Sequence, residues 1–195
     1  MNKPHNHSYE DIGASDEIVS IRTLCTNDYD AFLEGYTNQL PSQNRFDEGK
    51  IDISFMTHDW FAGLIARRRQ WAEEDVSYML NVFRVSDGAS VGYCDVSTNM
   101  REAFQCARIG YTIFNQHWQS GYAKQMIRLL VAVGFDQLNF HRLEAYIDPE
   151  NELSKRVAMH GGMQYEATRK EFEYLDGLWQ DRDVYFKRQE NWKDY

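Results

Sequence analysis

The stretch "HWQSGYAKQMIRLLVAVGF", His117 to Phe135, decides how the rest of the chain is read. Its second half is an amphipathic helix. Ala123, Met126, Ile127, Leu130, Val131, Phe135 and, just beyond, Leu138 recur at helical spacing. The first half, Gln119-Ser120-Gly121-Tyr122-Ala123, has little to pack and sits where the helix must begin. The first turn of a helix carries unpaired N–H groups and the positive end of the helix dipole. A glycine at that entrance, directly after a strand, lets an anion approach the main chain closely. The amides of Ser120, Gly121, Tyr122 and Ala123 are therefore a candidate anion cradle, and Lys124 adds charge if it faces inward. Turn chemistry alone can also place a glycine there, so both readings stand at this point.

Three strand-like runs precede this segment: 76–85, 90–97 and 104–114, the first two joined by the tight-turn signal Ser86-Asp87-Gly88. A strand from Arg142 to Ile147 follows it, then a helix after Pro149 ending at Gly161-Gly162. Strand, helix, strand in the middle of the chain implies a parallel crossover. The chain closes on a long hairpin, Met163 to Leu175 and Leu178 to Arg188, around Asp176-Gly177, before a polar tail from Gln189 to Tyr195. Upstream, 17–24 reads as a first strand. Thr26-Asn27-Asp28 reads as a helix entrance, 40–53 as a loop, and Thr57 or Asp59 as the cap of a second helix. Arg67-Arg68-Arg69 within that helix points three ways and reads as a solvated, partly snorkelling face. A mixed sheet with helices on its faces is an α/β class fold.

Composition bounds the rest. The chain has 195 residues, 43% hydrophobic and 14% aromatic, which fits one domain with a substantial core and excludes a disordered chain. Residues 1–16 are polar, without the basic and apolar regions of a signal peptide, and read as a flexible leader on a single domain spanning 17–195. No apolar stretch approaches a membrane span, so the expected setting is cytoplasmic, with no membrane partner. Three cysteines without CxxC spacing, and six histidines without HxxxH or HExxH spacing, indicate neither a disulfide framework nor a metal site. His5 and His7 fall in the leader. The net charge of −9 disfavours nucleic acid as a direct partner and mildly favours a cationic one.

The segment from Ile109 to Ala123 resembles motif A of the GNAT superfamily of acyl-CoA-dependent N-acyltransferases: a strand, a bend, and a glycine-bearing pyrophosphate loop opening a helix. Trp118 stands where the leading Arg or Gln is usual, and this aromatic variant resembles the RimJ/RimL branch, the ribosomal-protein N-terminal acetyltransferases. His141 to Met163 is similar to that branch's strand–helix segment, with Pro149-Glu150-Asn151 and Ser154 at the helix entrance and Gly162-Met163 at its exit. Glu171 to Asp183 is similar to its terminal hairpin. The resemblance spans about Ser90 to Phe186; upstream only the order of elements matches.

The resemblance implies a GNAT fold: a mostly antiparallel mixed sheet with one splayed parallel strand pair and helices on both faces. It implies acetyl-CoA as co-substrate, and direct acetyl transfer to a primary amine in a ternary complex. Trp118, Gln119, Ser120, Gly121, Tyr122 and Ala123 would bind the cofactor, with backbone groups near Ile113 pairing the pantetheine and Asn151 a further contact. Many members carry a tyrosine four residues after the Ser154 position to protonate the thiolate. Here that position is Ala158, and Ser154 takes the role by resemblance. Helix capping by Asn151 and Ser154 is the plain alternative. Glu173 matches the branch's general base, with a solvated strand charge as the competing reading and Glu144 and Asp95 as reserves. Asp181 reads as structural in the hairpin. The first choice of acceptor is a protein N-terminal amine, ribosomal proteins included. A polyamine or aminoglycoside-like amine is the runner-up, and a non-catalytic acyl-CoA-binding protein the rival of another class. Homodimers are the partner state the resemblance implies.

Overall fold

The computed structural model describes residues 7–190; His5 and the tail residues 191–195 lie outside the described residues. The strands are β1 (Gly13–Ser15), β2 (Val19–Arg22), β3 (Ser77–Arg84), β4 (Ser90–Met100), β5 (Cys106–Ile113), β6 (Arg142–Ile147), β7 (Gln164–Leu175) and β8 (Leu178–Arg188). The helices are α1 (Tyr29–Thr37), α2 (His58–Glu73), α3 (Tyr122–Ala132) and α4 (Glu152–His160). The strands form one 8-stranded sheet in the order β1-β2-β3-β4-β5-β6-β8-β7. Every neighbouring pair is antiparallel except β5 and β6, which α3 connects as a parallel crossover.

Side-chain periodicity places the layers. The α3 stripe Met126, Ile127, Leu130 and Val131 is buried against the sheet, where Leu80 and Val82 of β3 and Cys94 and Val96 of β4 alternate onto the same core. Phe83, one residue out of phase with Val82, joins a second cluster with Leu24, Phe32, Met56 and Phe61 beneath α1 and α2. Thr57 caps α2, its hydroxyl accepting from the Trp60 amide at 3.2 Å.

Two expectations are corrected. The segment read as a flexible leader is folded from Tyr9 onward: Tyr9 and Ile12 are buried, and Gly13–Ser15 adds the edge strand β1. Two apolar residues in a polar stretch suffice once a sheet edge is there to receive them. Arg68 is not part of a solvated face. It is buried, its guanidinium donating to Asn81 Oδ1 at 2.8 Å, while Arg69 pairs with Glu10 at the surface.

The feature that positions the site is a parting of strands. β5 and β6 pair only at Cys106↔Arg142, Ala107↔Leu143 and Arg108↔Glu144. Beyond that point β5 stays with β4 as far as Ile113↔Gly92, and β6 stays with β8 as far as Ile147↔Asp183. The two halves of the sheet diverge, and residues 109–113 of β5 keep one edge unpaired by any strand.

Candidate active site

A cavity of about 530 Å³ opens along the free part of β5. Tyr111, Thr112 and Ile113 form its floor. The entrances of α3 and α4 and the loop between α1 and α2 complete its lining.

The α3 entrance is built by two left-handed residues, Gln119 (φ 63°) and Gly121 (φ 82°). No side chain caps this helix, and a Cβ added at Gly121 would meet nothing within 4 Å. The first-turn amides therefore face open space in front of a glycine that supplies the positive φ. Trp118 holds the turn against the strand: its indole Nε1 donates to the Ile113 carbonyl at 2.7 Å. That assigns the aromatic substitution a structural use, and it occupies the Ile113 oxygen. Ile113, Trp118, Gln119, Gly121, Tyr122 and Ala123 all line the cavity; Ser120 is exposed in the same turn and does not. Lys124, Arg156, His117 and His160 add basic side chains to the lining. Burial, with Arg84 nearby, pushes the His117 imidazole below its ordinary pKa.

At the α4 entrance Asn151 is the cap, its Oδ1 accepting from the Ser154 amide at 3.1 Å, and both residues line the cavity. Sequence reasoning missed the partner of Ser154. The Tyr111 hydroxyl lies 2.9 Å from the Ser154 carbonyl and 3.0 Å from Ser154 Oγ. Its single proton goes to the carbonyl, which leaves its oxygen to accept the serine proton. Burial pushes the Tyr111 pKa up to about 12, so it stays protonated at neutral pH. Ala158, where a tyrosine is usual in the family, is fully buried. A phenol from β5 therefore reaches the start of α4. The only sequence sign was a tyrosine on the strand before the loop.

The expected base is not brought to this cavity. Glu173 is absent from its walls, and its carboxylate accepts from Arg182 Nε at 2.5 Å. The reserves are also engaged elsewhere. Asp95 accepts from Ser97 and Arg108, and Glu144 from Arg142 and Tyr146; neither lines the cavity. Burial alone would raise the Glu144 carboxyl, but its hydrogen bonds outweigh burial and hold it below the usual range. Asp181 serves the hairpin, accepting from Lys170 and the Glu171 amide. The carboxylates that do line the cavity are Asp47 and Glu48, in the loop whose sequence carried no motif. Among the described residues no group of three or more potential metal ligands occurs, and no helix is long and apolar enough to cross a membrane.

Comparison with known proteins agrees with this geometry. Residues 19–164 match the acetyltransferase (GNAT) domain family. The probable N-acetyltransferase YjcK of Bacillus subtilis is 31% identical over 120 residues, 62% of this chain and 66% of its own length, so the match spans just under two thirds of that relative. A ribosomal-protein-S5-alanine acetyltransferase from Vibrio fischeri superposes with a TM-score of 0.73 at 20% identity, covering 94% of this chain and 100% of that one. The microcin C7 self-immunity acetyltransferase MccE, solved with acetyl-CoA and AMP, superposes with a TM-score of 0.71 at 16% identity, covering 93% and 99%. At those identities the two structures speak for the fold. The parted strands, the open glycine-bearing helix entrance and the matched domain together place this chain in the GNAT acetyltransferase family.

Proposed function

We propose that this enzyme transfers an acetyl group from acetyl-CoA to a primary amine, with a protein N-terminal α-amine as the first choice of acceptor. One observation carries the reading: an α3 entrance with no side-chain cap, a strand edge with no partner strand and the Ser154 hydroxyl open onto one cavity. The residues fit the cofactor. The space beyond Gly121 admits a diphosphate to the amides of 120–123, and Lys124 adds a countercharge. The unpaired edge of 109–113 offers strand-like hydrogen bonds to the pantetheine arm, and Asn151 a further contact beside it. Bound acetyl-CoA supplies the activated acetyl thioester.

The chain's own groups do the rest. Ser154 is placed to hydrogen-bond the departing sulfur, and Tyr111 supports it from behind. An α-amine with an ordinary pKa of about 7.7–8.0 is partly neutral at physiological pH, which limits the demand on a base. Glu173, paired with Arg182, is not used in this reading.

Thiol release with acetyl-CoA and a panel of peptides and small amines tests the proposal. Turnover on peptide N-termini supports it. Turnover confined to small amines selects the runner-up acceptor. Thermal protection by CoA with no thiol release on any amine leaves a binding protein.

A further inference from the structure

Four basic side chains line the cavity, His117 before α3, Lys124 on α3, and Arg156 and His160 on α4, while both acidic lining residues, Asp47 and Glu48, come from the loop between α1 and α2. Those two acids do different work. Both oxygens of Asp47 are occupied: Oδ2 accepts from the Gln43 amide (2.8 Å) and Asn115 Nδ2 (3.0 Å), and Oδ1 from the Gly49 amide (3.0 Å). Asn115 is buried and also closes a reciprocal pair with the Leu40 backbone, both bonds at 2.8 Å. On the far side, Arg45 ties the loop to Asp148 and Glu150. Gly49 is buried with φ +62°, where an added Cβ would stand 2.2 Å from the Ser42 nitrogen. Glu48, itself exposed, therefore sits between two residues held by these contacts.

The Glu48 carboxylate makes no hydrogen bond or ion pair with another described residue. It lines the same cavity as Tyr36 and Tyr93, and its charge helps burial raise the pKa of both phenols. Tyr93 stands opposite Thr112 in the β4–β5 register. Buried Arg68, which does not line the cavity, offsets part of the acidic field at both tyrosines. A carboxylate on an anchored loop, sharing a cavity with two aromatic rings, is chemistry that receives an ammonium.

Resting on the transferase reading above, we propose that Glu48, with Tyr36 and Tyr93, receives the acceptor as its ammonium, which releases its proton to solvent at this exposed carboxylate before the neutral nitrogen attacks, and rejects amines that carry a carboxylate beside the nitrogen. The substrates are then peptide N-termini and alkylamines, and free amino acids are excluded by like-charge repulsion.

The test compares glycinamide with glycine as acceptors, by thiol release from acetyl-CoA, in the wild-type chain, Glu48→Gln and Glu48→Lys. Comparing variants cancels the different basicities of the two amines. The wild type prefers glycinamide. Glu48→Gln raises the KM for glycinamide roughly tenfold or more and narrows the preference, and Glu48→Lys narrows it further, while the KM for acetyl-CoA and thermal protection by CoA hold. If Glu48→Gln leaves the glycinamide-to-glycine ratio of kcat/KM where it was, the acceptor site is elsewhere and the transferase reading survives. If the wild type releases no thiol on any amine while CoA still protects it, both inferences go.

Discussion

At Gly121 the chain turns with φ +82° into open space, so two properties of that position separate. Gly121→Ala meets no atom but forces an L-residue into the left-handed region, and should cost about 1–2 kcal/mol of stability with CoA binding retained. Gly121→Glu adds a carboxylate in front of the first-turn amides and should abolish CoA binding; thermal shift with and without CoA separates the two effects. Tyr111 and Ser154 form the other residue-scale device. When the serine turns its proton toward a leaving sulfur, the Tyr111 hydroxyl, 3.0 Å from Ser154 Oγ, can turn to donate a hydrogen bond to it while staying protonated. Tyr111→Phe should lower kcat about tenfold with the acetyl-CoA KM unchanged, and should cost almost nothing further in a Ser154→Ala background. Equal losses in both backgrounds would make Tyr111 a packing residue only. The serine was legible in the sequence because its helix entrance follows a recognisable pattern. Its tyrosine was not, because which face of β5 meets α4 is decided by the sheet.

Among elements, the strands, the Asp176-Gly177 hairpin and α3 were readable because each carries a local period or turn signal, and they lie where that signal puts them, except that α3 ends at Ala132 and a π-helical turn, Val133–Gln137, carries Phe135 of the stripe. The edge strand β1 carries no such signal. Three residues cannot show a period, and Gly13–Ser15 becomes a strand only by pairing with 20–22. Arg68 misled for a related reason: helical spacing shows that three successive arginines diverge but not which one meets the Asn81 side chain inside the fold. The loop between α1 and α2 is the largest omission. Its order comes from Asn115, 68 to 75 residues downstream of the loop residues it bonds, rather than from its own composition. Asn115→Ala leaves the Leu40 amide without its partner and removes one of the two donors to Asp47 Oδ2. It should cost about 1–3 kcal/mol and raise the KM for the amine more than that for acetyl-CoA. Urea unfolding and steady-state kinetics on the same preparation check both parts.

For the molecule as a whole, acid is the weak side. Burial alone would raise the carboxyls of Asp28, Asp75 and Glu144, but hydrogen bonds from Arg22, Arg101 and Tyr146 respectively, with their neighbours, hold all three below the usual range. A carboxyl depressed in the folded state contributes stability that is present above its unfolded pKa and lost as pH falls through the folded one. Stability should therefore be flat near neutrality and fall below about pH 4. Thermal unfolding between about pH 2 and 7 should show a shallower acid limb for Asp75→Asn than for the wild type, from a lower neutral plateau. Net charge and composition marked the size and class of the domain in advance, but the mixed charge of the cavity lining arises only when a loop and two helices are brought together. The parting of β5 from β6 also reaches beyond catalysis. A sheet that leaves a seam unsewn at its centre is completed only by a visitor, so occupancy and robustness become one quantity. A guest at a hundred times its dissociation constant adds about 2.7 kcal/mol to the folded state, and amide exchange in the middle of the protein should slow with it. The level of that guest in its surroundings would then set how long the enzyme lasts as well as how fast it works.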